Sequence, residues 1–283
     1  MFSVIYGVDF SGARQAGTNT WVARLEPLRG RSKVPRYRLT ELGCLGRLCG
    51  TAERGPALRH LVGMIAASAA ALWALDFPFG LPVEVMAAET LWPAQLDFLR
   101  GWGEDAYGVG EECLRRAKAL GGPNHIRRLT DTEAKAPFDC YHYRIIYQTF
   151  YGMRDVLGPL AARRRTAILP FQYRRLGRAR RVLVEACPAS TLKRLGLSHN
   201  NYKQPEGGPL TRKRRRTRRA ILDGLAAWLE VSDAHRRVMM RNGGGDALDA
   251  ALAALGGAQA WQAADHRHIA RHPRYPREGR LFF

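Results

Sequence analysis

Two apolar runs of this chain each end on an aspartate that meets a turn at once: VIYGVD before FSGA at Asp9, and ALWALD before FPFG at Asp76. Short runs rich in Val, Ile, Leu and aromatic residues, closed by Ser, Gly or Pro, mark strands rather than long helices. Residues 2–9 therefore read as a first strand. Trp21 to Leu28 and Tyr37 to Leu45 have the length and turn-flanked setting of two more, separated by a basic, Pro-containing loop around Arg29–Arg36. Three strands in succession predict an antiparallel meander. Pro56 near a helix start, with apolar Leu58, Leu61, Val62 and Ile65, predicts a helix that feeds a fourth strand over Ala71–Phe79.

From residue 80 to 165, helix-like patterns at Ala94–Arg100, Glu111–Leu120 and Tyr141–Leu160 alternate with Gly/Pro-rich joints and predict a helical insertion. Thr166–Tyr173 and Arg181–Cys187 read as strands, Ala189–Leu195 as a short helix, and Ser198 to Pro209 as loop. TRKRRRTRR then runs into ILDGLAAWLE, where Ile221, Leu222, Leu225 and Leu229 share a helical face, and Ser232 can cap the next helix. After Gly243, Gly244 and Gly245 comes DALDAALAAL, spaced as a packed helix. No internal repeat is seen. This order is that of an α/β, RNase H-like fold: a mixed sheet of three antiparallel strands followed by parallel ones, with flanking helices. The whole chain, 1–283, then forms one domain with the insertion at 80–165.

Sheets with parallel neighbours bind ligands at strand ends, where Asp9 and Asp76 can converge. Buried side by side, two carboxylates repel and raise each other's pKa unless a cation neutralises them. Oxygen-only donors suit Mg²⁺ or Mn²⁺. Asp246 and Asp249, three residues apart on one side of a helix, complete a candidate set of metal ligands. Such a set suits two-metal phosphodiester hydrolysis, in which one ion activates water and the other stabilises the leaving oxygen. Glu185, at the end of RVLVE, is a fifth catalytic candidate. Each acid has a structural alternative. Asp9 and Asp76 fit turn formation after a strand, Asp246 fits an N-cap with Asp249 on the helix dipole, and Glu185 fits a pair with one of the many arginines.

Those arginines matter for partners. The chain has 45 Lys+Arg against 25 Asp+Glu, a formal charge of +20, which attracts polyanions and makes nucleic acid, DNA or RNA, the leading partner. The loop from His125 to Lys135 gathers cations and hydroxyls suited to phosphate, with Arg128 and Lys135 the substrate-side choices. Ser11, in the turn after the first strand, and Arg212 and Lys213, at the head of the basic helix, join them. Tyr141, Tyr143, Tyr147, Phe150 and Tyr151 suit base stacking or, more often at helical spacing, core packing. The five cysteines form no CxxC pair, and the histidines lack dependable zinc spacing. The N-terminal residues lack the features of a secretory signal, and no apolar run is long enough to cross a bilayer. A cytoplasmic protein without a membrane partner is expected, and no protein partner can be identified.

The blocks YGVDFSGA, ALDFPFGLP, IRRLTDTEAKAPFD, YQTFYGMRDVLGPL, VLVEACPAS, GGGDALDAALAA and EGRLFF follow one another over most of the chain. In that order they resemble the domain of unknown function 429 family of predicted RNase-H-like nucleases. The resemblance implies a ribonuclease-H-like fold, a divalent-metal site and nuclease activity. The order of strand-one Asp, strand-four acid and late D-x-x-D helix is also similar to bacterial Holliday-junction resolvases, implying metal-ligand roles for Asp9, Asp76, Asp246 and Asp249. Asp76 departs from that pattern, since the resolvases generally carry a longer Glu there. Two rival functions remain open: an ATPase-like protein of the same fold that binds nucleotide phosphate at GVDFSGA, and a nucleic-acid-binding protein whose acids are structural.

Overall fold

The computed structural model describes residues 2–28, 35–86, 90–205 and 207–283, so most of the basic loop expected at 29–36 lies outside the described residues. Among the described residues, seven strands form one sheet in the order β5-β6-β4-β1-β2-β3-β7. They are β1 (Val4–Asp9), β2 (Trp21–Pro27), β3 (Tyr37–Cys44), β4 (Ala71–Asp76), β5 (Thr166–Ile168), β6 (Arg181–Glu185) and β7 (Leu229–Glu230). The first three make the antiparallel meander, and β4, β6 and β5 extend it in parallel from β1. This is the mixed α/β, RNase H-like sheet that the order of elements predicts, with helices on both faces.

Strand parity sorts the side chains. Trp73 and Leu75 of β4 and Leu183 of β6 join one core with the helix Arg54–Ala67 and the helices between β4 and β5. Leu72, Ala74, Val182 and Val184 join the other, beneath the helix Asp246–Ala263. That long helix is rich in Ala, which favours helix and keeps its surface thin. It lies so close to β1 that a Cβ added at Gly7 would stand 2.0 Å from the Ala250 carbonyl oxygen. Only glycine fits there.

Several boundaries differ from the sequence reading. The strand begun at Thr166 stops at Ile168, because Pro170 cannot donate to a ladder, and a 3₁₀ helix, Tyr173–Arg178, follows. The helix expected from Tyr141 begins at Ile146. Asp139 Oδ1 accepts from the Tyr141 backbone N–H at 3.2 Å, and this local bond competes with helix formation. β7 is only two residues long and follows directly on the basic helix Arg212–Leu225, so it carries no periodic signal. Ser232 caps Asp233–Arg241 as expected, its side chain accepting from the His235 N–H at 3.2 Å. No helix among the described residues is long and apolar enough to cross a membrane.

Candidate functional site

The parallel register of β1 and β4 places Asp9 directly beside Asp76, at the point where both strands end. Registered neighbours lie about 4.8 Å apart across a sheet and point to the same face. By parity that face is the one under the helix Asp246–Ala263. Gly245, at φ 92, turns the chain into this helix in a conformation that side chains other than glycine rarely adopt. The first turn of the helix then lowers Asp249 toward the two strand ends. Asp9, Asp76 and Asp249 all line one cleft of about 590 Å³.

Neighbours of Asp249 come from the segment 198–209, the stretch that the sequence predicts as loop. The Tyr202 hydroxyl donates to Asp249 Oδ1 at 2.9 Å, and the Lys203 ammonium pairs with Asp249 Oδ2. Asp249 itself is 1% exposed. The loop is held by Arg218, fully buried, whose guanidinium donates to the carbonyls of Tyr202, Met239, Asn242 and Gly243. One side chain thus ties the loop carrying Lys203 to the turn that launches Asp249. Arg218 belongs to the basic run TRKRRRTRR, and here it is structural.

The electrostatics follow from three carboxylates around one ammonium. Burial raises the Asp9 pKa well above the carboxylate range, Lys203 opposes this, and Asp249, Asp76 and Asp246 add to it. Asp76 is pushed up to about 8, by burial first and then by Asp249, with Lys203 again opposing. Lys203 is held charged well above the usual lysine value, because Asp249, Tyr202 and Asp9 outweigh its own desolvation. The cluster is short of positive charge.

Asp246 stands nearby but does not line the cleft. It accepts from the Asn242 side-chain amide at 3.2 Å, and the N-cap position belongs to Gly245. Glu185 and Arg128 also line the cleft, but they are paired with each other. Glu185 falls on the other sheet face, where Arg128 donates to both its oxygens at 2.5 and 2.9 Å and to Asp131 at 2.7 and 3.0 Å. Arg128 is 1% and Glu185 2% exposed, and the acid has the arginine partner that its alternative reading supposed. Lys135 is exposed in a left-handed turn, and Lys193, which donates to its carbonyl at 2.6 Å, lines the cleft instead. Arg212 and Lys213 are exposed and outside the cleft; from the same run Arg214, bonded to Gln204 at 2.5 Å, faces it. Ser11 closes its own turn, its hydroxyl accepting from the Ala13 N–H at 3.3 Å. Arg144 joins Lys193, Lys203 and Arg214 as a cationic rim that sequence reading missed. Of the tyrosines, Tyr141 and Tyr151 are core, with Phe150, whereas Tyr143 and Tyr147 are exposed.

The donor set fits a hard divalent cation in its chemistry. Asp9, Asp76 and Asp249, with Asp246 close by, offer only carboxylate oxygens and lack balancing charge. In the present arrangement Lys203 fills part of that role, and among the described residues no three acidic, imidazole or thiol groups form a preformed cage. Comparison with family models, with curated proteins and with solved structures gave no match.

Proposed function

We propose that this chain is a Mg²⁺- or Mn²⁺-dependent nuclease that hydrolyses phosphodiester bonds in the cleft at the ends of β1 and β4. The observation that carries the reading is the charge pattern: buried Asp9 and Asp249 and half-buried Asp76 on the floor, with Arg144, Lys193, Lys203 and Arg214 around them. A floor of carboxylates repels a phosphate unless cations intervene, and a cationic rim attracts one. Asp9, Asp76 and Asp249 would hold the metal, with Asp246 as a further oxygen donor. The bound metal would supply an activated water and stabilisation of the leaving oxygen. Arg144 and Arg214 would orient the backbone by forked contacts to phosphate oxygens. Lys203 and Tyr202 would fix the Asp249 carboxylate through its two oxygens.

The test is Asp9→Asn against wild type in Mg²⁺-dependent cleavage of labelled DNA and RNA, with Mn²⁺ binding read separately by calorimetry. Loss of cleavage and weaker Mn²⁺ binding, with an unchanged circular dichroism spectrum, are expected. Full activity in Asp9→Asn would remove the mechanism. A second reading, a non-catalytic nucleic-acid-binding protein, is favoured by one observation: Lys203 pairs with Asp249 and offsets its charge. Nucleic-acid binding by a wild-type protein that takes up no Mn²⁺ at millimolar concentration would select it.

A further inference from the structure

A concave surface at the far end of the sheet carries positive charge with nothing to balance it. Between Asp155 and Glu185 the chain has eight arginines and no acidic residue. Six of them, Arg164, Arg165, Arg174, Arg175, Arg178 and Arg180, line a cavity of about 860 Å³ in which no other residue type takes part. Arg164 and Arg165 precede β5, Arg180 precedes β6, and the remaining three lie on the 3₁₀ helix Tyr173–Arg178. At three residues per turn Arg175 and Arg178 share a face of that helix.

This surface is separate from the acidic cleft. β5 and β6 are parallel and begin together, with Thr166 registered on Arg181, so the arginines gather where the strands start. The cleft lies where β1, β4 and β6 finish, about 13 Å away along β6 at 3.3 Å per residue.

Several exposed arginines elsewhere are matched by acids, among them Arg38 by Glu230, Arg100 by Asp97 and Arg115 by Glu112. In the cavity Arg175 donates to the Ala161 carbonyl, and the other five make no side-chain hydrogen bond or ion pair among the described residues. Their mutual repulsion reaches Arg181, whose pKa is lowered by burial and then by Arg180, Arg165 and Arg163. Holding six guanidiniums together costs stability that an anion would return.

We propose that this arginine cavity is a second phosphate-binding site, which grips the phosphodiester backbone of a nucleic-acid strand outside the acidic cleft. Guanidinium forks match phosphate oxygens in pairs. A single small anion neutralises one or two arginines, whereas a strand brings successive phosphates to all of them and releases counterions as it binds. The all-arginine lining also lacks the apolar side chains with which membrane-surface segments enter lipid. The site goes beyond the hydrolytic reading and does not depend on it.

The experiment measures binding of the full chain, in EDTA, to a fluorescein-labelled single-stranded DNA of about 30 nucleotides, across a range of salt concentrations. The test variant is Arg164→Ala/Arg174→Ala/Arg178→Ala/Arg180→Ala, all exposed positions. The control, Arg47→Ala/Arg59→Ala/Lys118→Ala/Arg271→Ala, removes the same charge from scattered exposed sites. At about 0.7 per phosphate contact, the test variant should lose close to three units of log–log salt slope and bind at least about tenfold more weakly at low salt. The control should keep the wild-type slope. Equal losses in both variants, or none in either, would overturn the proposal. So would wild-type binding to phosphatidylserine vesicles but not to the oligonucleotide, or complete displacement of the oligonucleotide by equimolar inorganic phosphate. Asp9→Asn, which disables the cleft in the hydrolytic reading, should leave the arginine-dependent difference intact, so the two ideas fail separately.

Discussion

Replacing Asp76 by Asn should flatten the dependence of stability on pH in metal-free protein. Asp76 has a folded-state pKa of about 8, against roughly 3.9 for an unfolded-chain aspartate. Between those values the folded state binds more protons than the unfolded one, so stability falls as pH rises through the window and levels off above about 8. From pH 6 to pH 8 the slope of about 1.36 kcal/mol per pH unit falls to half as the pKa is reached, so the loss is roughly 2.3 kcal/mol. Asp9, also raised, adds a loss of the same sign. For a chain of this size the Asp76 share corresponds to about 5–10 °C in Tm. The assay is thermal melting of wild type and Asp76→Asn in EDTA, at pH steps from 6 to 8.5. The wild-type curve should drop more steeply by about that amount, and millimolar Mg²⁺ should recover part of the drop by binding the ionised cluster. Parallel curves for the two proteins would mean that Asp76 is not held protonated by burial, and the charge deficit assigned to the cleft would go with it.

Two further substitutions probe the frame around the cleft. Arg128→Met leaves Asp131 and Glu185 buried without their cation and should cost about 3–5 kcal/mol at neutral pH in denaturant unfolding; a loss below about 1 kcal/mol would show that these acids do not rely on the arginine. Gly7→Ala forces a methyl into the Ala250 carbonyl and should destabilise by about 3 kcal/mol, read as a drop in Tm; an unchanged Tm would place the long helix farther from β1 than the structure does.

The sheet was legible because its strands are dense apolar runs closed by turn residues, and because parity follows once the runs are placed. Asp9 and Asp76 were legible for the same reason: each ends such a run. Asp249 followed from the glycine turn and the alanine-rich helix, but Asp246, its near neighbour, spends its carboxylate on Asn242 and stands outside the cleft. Lys203 and Tyr202 left no trace in the sequence, since an irregular loop has no period from which a side chain's direction can be read. The pairing of Arg128 with Glu185 was equally hidden. The partners lie 57 residues apart, and an arginine in a basic loop looks the same whether it faces solvent or a buried acid. Parity alone does put Glu185 on the sheet face opposite Asp76, although both strand ends meet the same cleft.

The close seat of the helix Asp246–Ala263 on β1 also bears on the order of events during synthesis. The strand β1 leaves the ribosome more than 230 residues ahead of its covering helix. At about 5–20 residues per second, some ten to fifty seconds separate the two. Throughout that interval one greasy side of the nascent sheet stays bare, and neither Gly7 nor its neighbours can screen it. Folding of this chain should therefore lean on chaperones that shield early strands, and stop codons placed before the helix should yield aggregates instead of smaller soluble proteins.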